Sequence, residues 1–345
     1  MLPAADPRMT KAFICGVSGL ALNDAERSFL REQQPWGLIL FKRNVQSVEQ
    51  ICALTKEFRE ITGRADAPVL IDQEGGRVQR IGPPICSKYP PAARFNALSV
   101  SPARKAELVR LSAQLMGLDL KACGINVDCL PVLDVPAPGG HNVIGDRAYA
   151  ETPERVALLG GAAAEGLMRV GVLPVMKHVP GHGRAGADSH LELPRVEAGL
   201  AELEAADFVP FRALAHLPMA MTAHVVYTAI DSKSPATTSR KVVQDIIRGA
   251  IGFDGLLMSD DLSMKALSGS FTERTQALFA AGVDMALHCN GNLEEARPVA
   301  EASPRLDGKA AERAAKALSR LAEACPPLDP VDARAEVHSA LAMAG

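Results

Sequence analysis

"GVLPVMKHVPGHGRAGADSH", residues 171–190, changes character in its middle. Its first seven residues form a short apolar run, which suits a buried strand better than a core helix. From Lys177 to His190 the chain holds three histidines, a lysine, an arginine and an aspartate among four glycines or prolines. Proline and glycine interrupt helix and strand alike, so this half is a shaped loop. The segment before it, "TPERVALLGGAAAEGLMRVG" (152–171), has apolar residues at helical spacing. The unit is a helix, a buried strand and a chemically dense loop.

That unit recurs. Apolar runs of strand length occur at 12–17, 37–41, 68–72, 125–135, 171–177, 218–224, 255–260 and 283–288. Helix-length amphipathic segments such as 45–63, 103–124, 152–171 and 239–252 lie between them, with glycine near their ends. Strands buried on both faces and separated by helices predict a parallel sheet. Eight such units predict an α/β fold, a (β/α)8 TIM-type barrel, as a single domain over residues 1–345. A doubly wound open sheet is the rival. No G-x-G-x-x-G follows the first run, which weakens its nucleotide-binding version. The alanine-rich segment 307–324 is expected as a final helix on the barrel exterior, with a loosely held tail beyond "CPPLDP".

Composition narrows the function. The chain is 48% hydrophobic and 22% charged with a formal net charge of −3, which suits a globular protein and gives no basic surface for nucleic acid. Seven cysteines without a C-x-x-C pair suit a reducing compartment. No apolar run approaches the roughly 18 residues of a membrane span, and no signal-peptide pattern opens the chain. A cytoplasmic monomer with no nucleic-acid, membrane or cofactor partner is expected.

In a barrel of this kind the chemistry lies at the C-terminal ends of the strands. Asp72, Arg77 and Arg80 follow the third run, and Asp146 and Arg147 lie beyond the fourth. Lys177 and His178 end the fifth, His224 the sixth, and Asp260 and Asp261 the seventh. Each has a plainer reading: a turn at Asp72, a surface ion pair at Arg147, a helix cap at Asp261, and satisfied core histidines at His224 and His288. Their coincidence at strand ends favours a site.

Two mechanisms suit the histidine-rich loop. Three imidazoles and a carboxylate can bind zinc, but Pro180 and Gly181 separate His178 from His182, so the two do not share a helix face. The alternative is proton transfer by an oriented histidine. Asp188 and His190 flank Ser189, and in an extended segment side chains two apart lie on one side and can hydrogen-bond. An aspartate in that position fixes the imidazole tautomer and stabilises its cation. No G-x-S-x-G elbow supplies a serine nucleophile.

The segments "IDQEGGRVQR" (71–80), "VIGDRAY" (143–149), "KHVPGHGRAGADSHLELP" (177–194) and "MSDDLSMKAL" (258–267), in this order, resemble the β-N-acetylhexosaminidases of glycoside hydrolase family 3. The likeness runs from about residue 10 to 325 and is to the single-domain bacterial type. It implies a cytoplasmic enzyme that releases N-acetylglucosamine from anhydromuropeptides during cell-wall recycling. It also implies that Asp260 is the nucleophile, with Asp261 in a supporting role. His190 becomes the general acid/base, assisted by Asp188. Asp72, Arg80, Arg147, Lys177 and His178 bind the sugar. No metal is implied.

A histidine in place of the usual second carboxyl keeps the same logic, because imidazole titrates near neutral pH. The loop glycines would then let His190 swing over the leaving group. Aromatic residues make up only 4% of the chain, which favours a pocket for one terminal sugar over a stacked platform. A phosphorylase, whose histidine would not repel an attacking phosphate, and a catalytically inactive sugar-binding barrel remain open.

Overall fold

The computed structural model describes residues 10–137, 142–186, 193–322 and 328–342. Eight parallel strands close into a barrel: β1 Lys11–Gly16, β2 Pro35–Leu40, β3 Val69–Ile71, β4 Val127–Asp128, β5 Leu173–Val179, β6 Met219–Thr222, β7 Leu256–Asp261 and β8 Met285–His288. Each pairs with its neighbours in sequence, and β8 returns to β1. All eight expected runs are strands, and the barrel replaces its open-sheet rival.

The register stacks the interior in layers. Leu70 faces Val127, which faces Leu173, while Val175 faces Met219, which faces Leu256. These residues form one buried cluster inside the barrel, and their sequence neighbours Ile71, Met176, Ala220 and Leu257 join a second cluster beneath the helices. Burial on both faces is why the strands read as unbroken apolar runs. The same alternation delivers the chemistry, because a residue two places beyond an inward one also points inward. Asp72 follows Leu70, Lys177 follows Val175, and Asp260 follows Met258, so all three reach the mouth.

The fourth strand is shorter than its apolar run. Ladder pairing covers only Val127 and Asp128, because the Leu130 N–H turns back to Asp128 O at 2.8 Å instead of reaching a neighbouring strand. The chain nonetheless stays beside β5: Lys177 N donates to Pro131 O at 3.0 Å and Leu133 N to Lys177 O at 2.7 Å.

Helix boundaries follow local chemistry. Asn23 and Ser270 close capping boxes with Glu26 and Glu273 at the starts of Asp24–Gln33 and Phe271–Ala281, and Gly63 and Gly282 end helices in the left-handed conformation. The segment Val242–Ala250 is wound as a π-helix.

The alanine-rich helix is Gly308–Ser319, and it does not lie on the barrel exterior as expected. Ala314 and Ala317 are buried in the same cluster as Trp36, Leu173 and Met219, at the N-terminal ends of the strands. Small side chains on one face let the helix close the barrel floor. The segment expected to be loose holds a further helix, Pro330–Ala342, packed on Pro102–Ala122. There Arg334 Nη2 donates to Asp119 Oδ1 at 2.6 Å, and the Tyr89 hydroxyl donates to Asp119 Oδ2 at 2.6 Å. No helix among the described residues is long and apolar enough to cross a membrane.

Candidate active site

A cavity of about 140 Å³ sits at the C-terminal end of the barrel. Its wall includes Asp72, Glu74, Arg80, Arg147, Lys177, His178, His182, Asp260 and Asp261, with Phe41, Met221 and Leu287 supplying apolar surface. Asp72, Arg80, Arg147, Lys177, His178 and Asp260, named from the sequence, therefore share one site. Asp188 and His190 lie outside the described residues.

A chain of charges lines one side. Lys177 Nζ lies 2.9 Å from Asp72 Oδ1 and 2.7 Å from Glu74 Oε1. Asp72 Oδ2 accepts from Arg80 at 2.9 Å, and Glu74 accepts a two-pronged bond from Arg147. Burial alone would raise both carboxyls, but the charges of Lys177 with Arg80, and of Lys177 with Arg147, outweigh it. Asp72 is held well below the carboxylate range and Glu74 at about 2. For Lys177 the two carboxylates outweigh burial and push its pKa up. Asp72, Glu74 and Lys177 are therefore ionised at neutral pH, and a sugar entering the cavity meets fixed donors and acceptors.

Local chain geometry holds these groups. Gln73–Gly75 pairs with Val78–Gln79 in a hairpin, and Gln73 Oε1 accepts the backbone N–H of Arg80 and Ile81 at 3.0 and 3.1 Å. Gly75 has φ 92°, and a Cβ there would lie 2.3 Å from the carbonyl oxygen of Pro90, so glycine is required twice over. Arg77 grips the neighbouring segment, donating to the carbonyls of Asn142, Val143 and Ile144 at 3.2, 2.5 and 3.1 Å and to Asp146 at 3.1 Å. That segment carries Arg147.

Next to this chain of charges Asp134 is the organiser. Its Oδ2 lies 2.7 Å from His178 Nδ1, while Oδ1 accepts the backbone N–H of His178 at 3.2 Å and of His182 at 2.7 Å. Burial would raise this carboxyl, but the two histidines outweigh it and hold it at about 2. Burial drives His182 down to about 4, so its ring is neutral at pH 7. The loop passes very close here: a Cβ on Gly183 would lie 1.9 Å from the carbonyl oxygen of Val135. The glycine is needed for packing alone. Among the described residues no group of three histidines, cysteines or acids is arranged to hold a metal ion.

Asp260 and Asp261 differ sharply. Asp261 Oδ1 accepts the N–H of Ser263 and of Cys289, both at 3.0 Å, and Oδ2 accepts the Ser263 hydroxyl at 2.5 Å. Both oxygens tie the loop together. Asp260 Oδ1 accepts the N–H of Asp261 at 2.8 Å, which sets the orientation of its carboxylate at the cavity wall.

Glu74 and Asp134 were missed in the sequence. Glu74 stands two places beyond Asp72 and so shares its side of the chain, which was a usable signal. Asp134 sits with Asp128 inside the apolar run 125–135, where a buried acid asks for a partner.

The family description "Glycosyl hydrolase family 3 N terminal domain" matches residues 8–323. The chain is 42% identical to the beta-hexosaminidase of Alkalilimnicola ehrlichii over 279 residues, 80% of this chain and 79% of that one. It is 38% identical to the beta-hexosaminidase of Chromobacterium violaceum, with 86% and 84% covered. Among solved structures, NagZ from Neisseria gonorrhoeae superposes with a TM-score of 0.83 at 31% identity, over 99% of this chain and 98% of that one. A glycoside hydrolase family 3 beta-N-acetylglucosaminidase from Paenibacillus sp. superposes with a TM-score of 0.85 at 30% identity, over 97% of this chain and 68% of that one.

Proposed function

The chain belongs to glycosyl hydrolase family 3, and from that premise we propose that it is a retaining exo-β-N-acetylglucosaminidase, with peptidoglycan-derived anhydromuropeptides of cytoplasmic cell-wall recycling as its substrates. The observation that carries this reading is that the cradle of Asp72, Arg80, Glu74, Arg147 and Lys177 shares the wall of one cavity with Asp260. Such a cradle suits a single sugar ring held through its hydroxyl groups.

In the proposed reaction Asp260 attacks the anomeric carbon as the glycosidic C–O bond breaks. His190, oriented by Asp188, gives its proton to the departing oxygen. Water then attacks the same carbon, losing its proton to His190 as the bond to Asp260 breaks. Two inversions return the β configuration. The roles of His190 and Asp188 are supported by the family resemblance alone.

The test compares 4-nitrophenyl N-acetyl-β-glucosaminide with the plain β-glucoside, with and without inorganic phosphate. Preference for the acetamido substrate with free β-sugar as first product is expected. Sugar 1-phosphate, formed only with phosphate, would make the protein a phosphorylase. No turnover of either substrate would leave an inactive sugar-binding barrel.

A further inference from the structure

Behind the cavity wall a fully buried histidine reaches the aspartate pair. His224 Nε2 lies 3.0 Å from the carbonyl oxygen of Asp261, and His224 Nδ1 lies 2.7 Å from Thr237 Oγ1. Thr237 Oγ1 in turn lies 2.7 Å from Thr222 Oγ1.

Proton counting gives this relay one direction. A carbonyl oxygen only accepts, so His224 Nε2 carries the hydrogen. Burial lowers the pKa of the ring, which is therefore neutral at pH 7 and has a single N–H. Nδ1 must then accept, and the Thr237 hydroxyl, which faces both Nδ1 at 2.7 Å and the Ala223 carbonyl oxygen at 3.2 Å, turns its proton to the nearer nitrogen. Thr237 accepts in turn from Thr222. The order runs from the Thr222 hydroxyl through Thr237 and His224 to the Asp261 carbonyl.

The far end of this relay is the residue that orients Asp260. The N–H of Asp261 bonds Asp260 Oδ1, the Asp261 side chain bonds Ser263 and Cys289, and its carbonyl bonds His224. We propose that His224 is a positioning residue for glycosyl transfer to Asp260: it fixes the Asp261 backbone whose N–H aims the attacking carboxylate. This rests on the reading of Asp260 as the nucleophile. The titratable groups facing the ring are Asp260, Asp261 and His178.

The test uses His224→Phe, which keeps a flat ring without the donor, and His224→Gln, whose amide nitrogen reaches the Nε2 position. Rates are read by rapid mixing with 4-nitrophenyl N-acetyl-β-glucosaminide. His224→Phe is expected to slow glycosylation about 10²-fold, the size of a misplacement near 1 Å. KM should stay within about threefold, because the loss falls on the transition state. His224→Gln should regain about tenfold or more of that loss, since it restores one hydrogen bond to a positioned group. The limbs of the pH–rate profile should stay in place in both variants.

A His224→Phe rate close to wild type, a Gln variant no faster than the Phe variant, or a moved limb would each overturn the proposal. Should His224→Phe not fold, Thr237→Val removes the hydroxyl that anchors Nδ1; slower glycosylation at unchanged KM supports the relay, and a wild-type rate refutes it. Mass analysis of the quenched wild type separates the two readings. An adduct on Asp260 beside an unimpaired His224→Phe overturns the positioning role alone, whereas turnover by Asp260→Ala removes the nucleophile reading itself.

Discussion

The guanidinium of Arg147 grips both oxygens of Glu74, Nε to Oε2 at 2.7 Å and Nη2 to Oε1 at 2.8 Å, with the carboxylate buried. Removing that acid leaves Lys177 paired with Asp72, and among the described residues leaves Arg147 with no paired carboxylate and only the more distant charges of Asp134 and Asp72. Breaking one side of a buried pair costs about 3–5 kcal/mol. Glu74→Ala is expected to lose that much unfolding free energy by urea titration at pH 7. A loss below about 1 kcal/mol, the range of exposed pairs, would contradict it.

The same acid shapes the acid limb of stability. Its folded pKa of about 2 lies below the unfolded value near 4.3, so the fold binds fewer protons than the unfolded chain in between. The stabilisation is complete above the unfolded value and is lost as pH falls toward about 2. Thermal melts of Glu74→Gln between those limits should depend on pH less steeply than the wild type. Parallel curves would show that Glu74 does not contribute.

Asp128 points the other way. It is fully buried, its Oδ1 accepts the Gln73 N–H at 3.0 Å, and its Oδ2 has no hydrogen-bond partner among the described residues. Burial pushes its pKa well up. The fold then retains a proton that the unfolded chain releases above about 3.9, and stability falls as pH rises from there. Asp128→Asn should melt higher than wild type at pH 7, with the gap closing near pH 4. A variant that melts lower at pH 7 would refute the buried neutral acid.

Arg77 is half-exposed, yet it grips three carbonyls of the segment that carries Arg147. Arg77→Ala should loosen that segment and raise KM several-fold, roughly 5–10-fold, with kcat little changed, the pattern of lost uniform binding. Steady-state kinetics on the aryl substrate decide this, and an unchanged KM counts against it.

For the proposed acid/base, His190→Ala should slow release of a sugar alcohol by about 10²–10⁴-fold more than release of an activated phenol, which leaves without a proton. The glycosyl-enzyme should then accumulate on the phenol substrate, giving a burst before slow turnover. Equal losses on both substrates without a burst would make the loop a binding element.

The barrel was legible because its strands are buried on both faces, so each reads as one apolar run, and because Asp72, Lys177 and Asp260 inherit the inward phase of Leu70, Val175 and Met258. Other parts were not. Glu74 matters through Lys177 of the fifth strand and Arg147 of a loop turn, both remote in sequence, and Asp134 through backbone donors more than 40 residues away. The floor helix was misplaced because a stripe of alanines reads the same against the barrel side as beneath it. The Asp188–His190 pair still rests on the resemblance and on local spacing.

With Gly308–Ser319 packed beneath the strands, the cavity among the described residues opens through a doorway at the C-terminal ends of the strands. For the two-step reaction proposed above, departures and arrivals then have to queue. The released portion must clear the doorway before a water molecule can stand in its place. An alcohol that enters by the same route stands where the water would, so the sugar passes to whichever occupies that position. Added methanol should therefore divert the bound sugar into methyl β-glycoside in proportion to its concentration, without changing how fast the first product leaves.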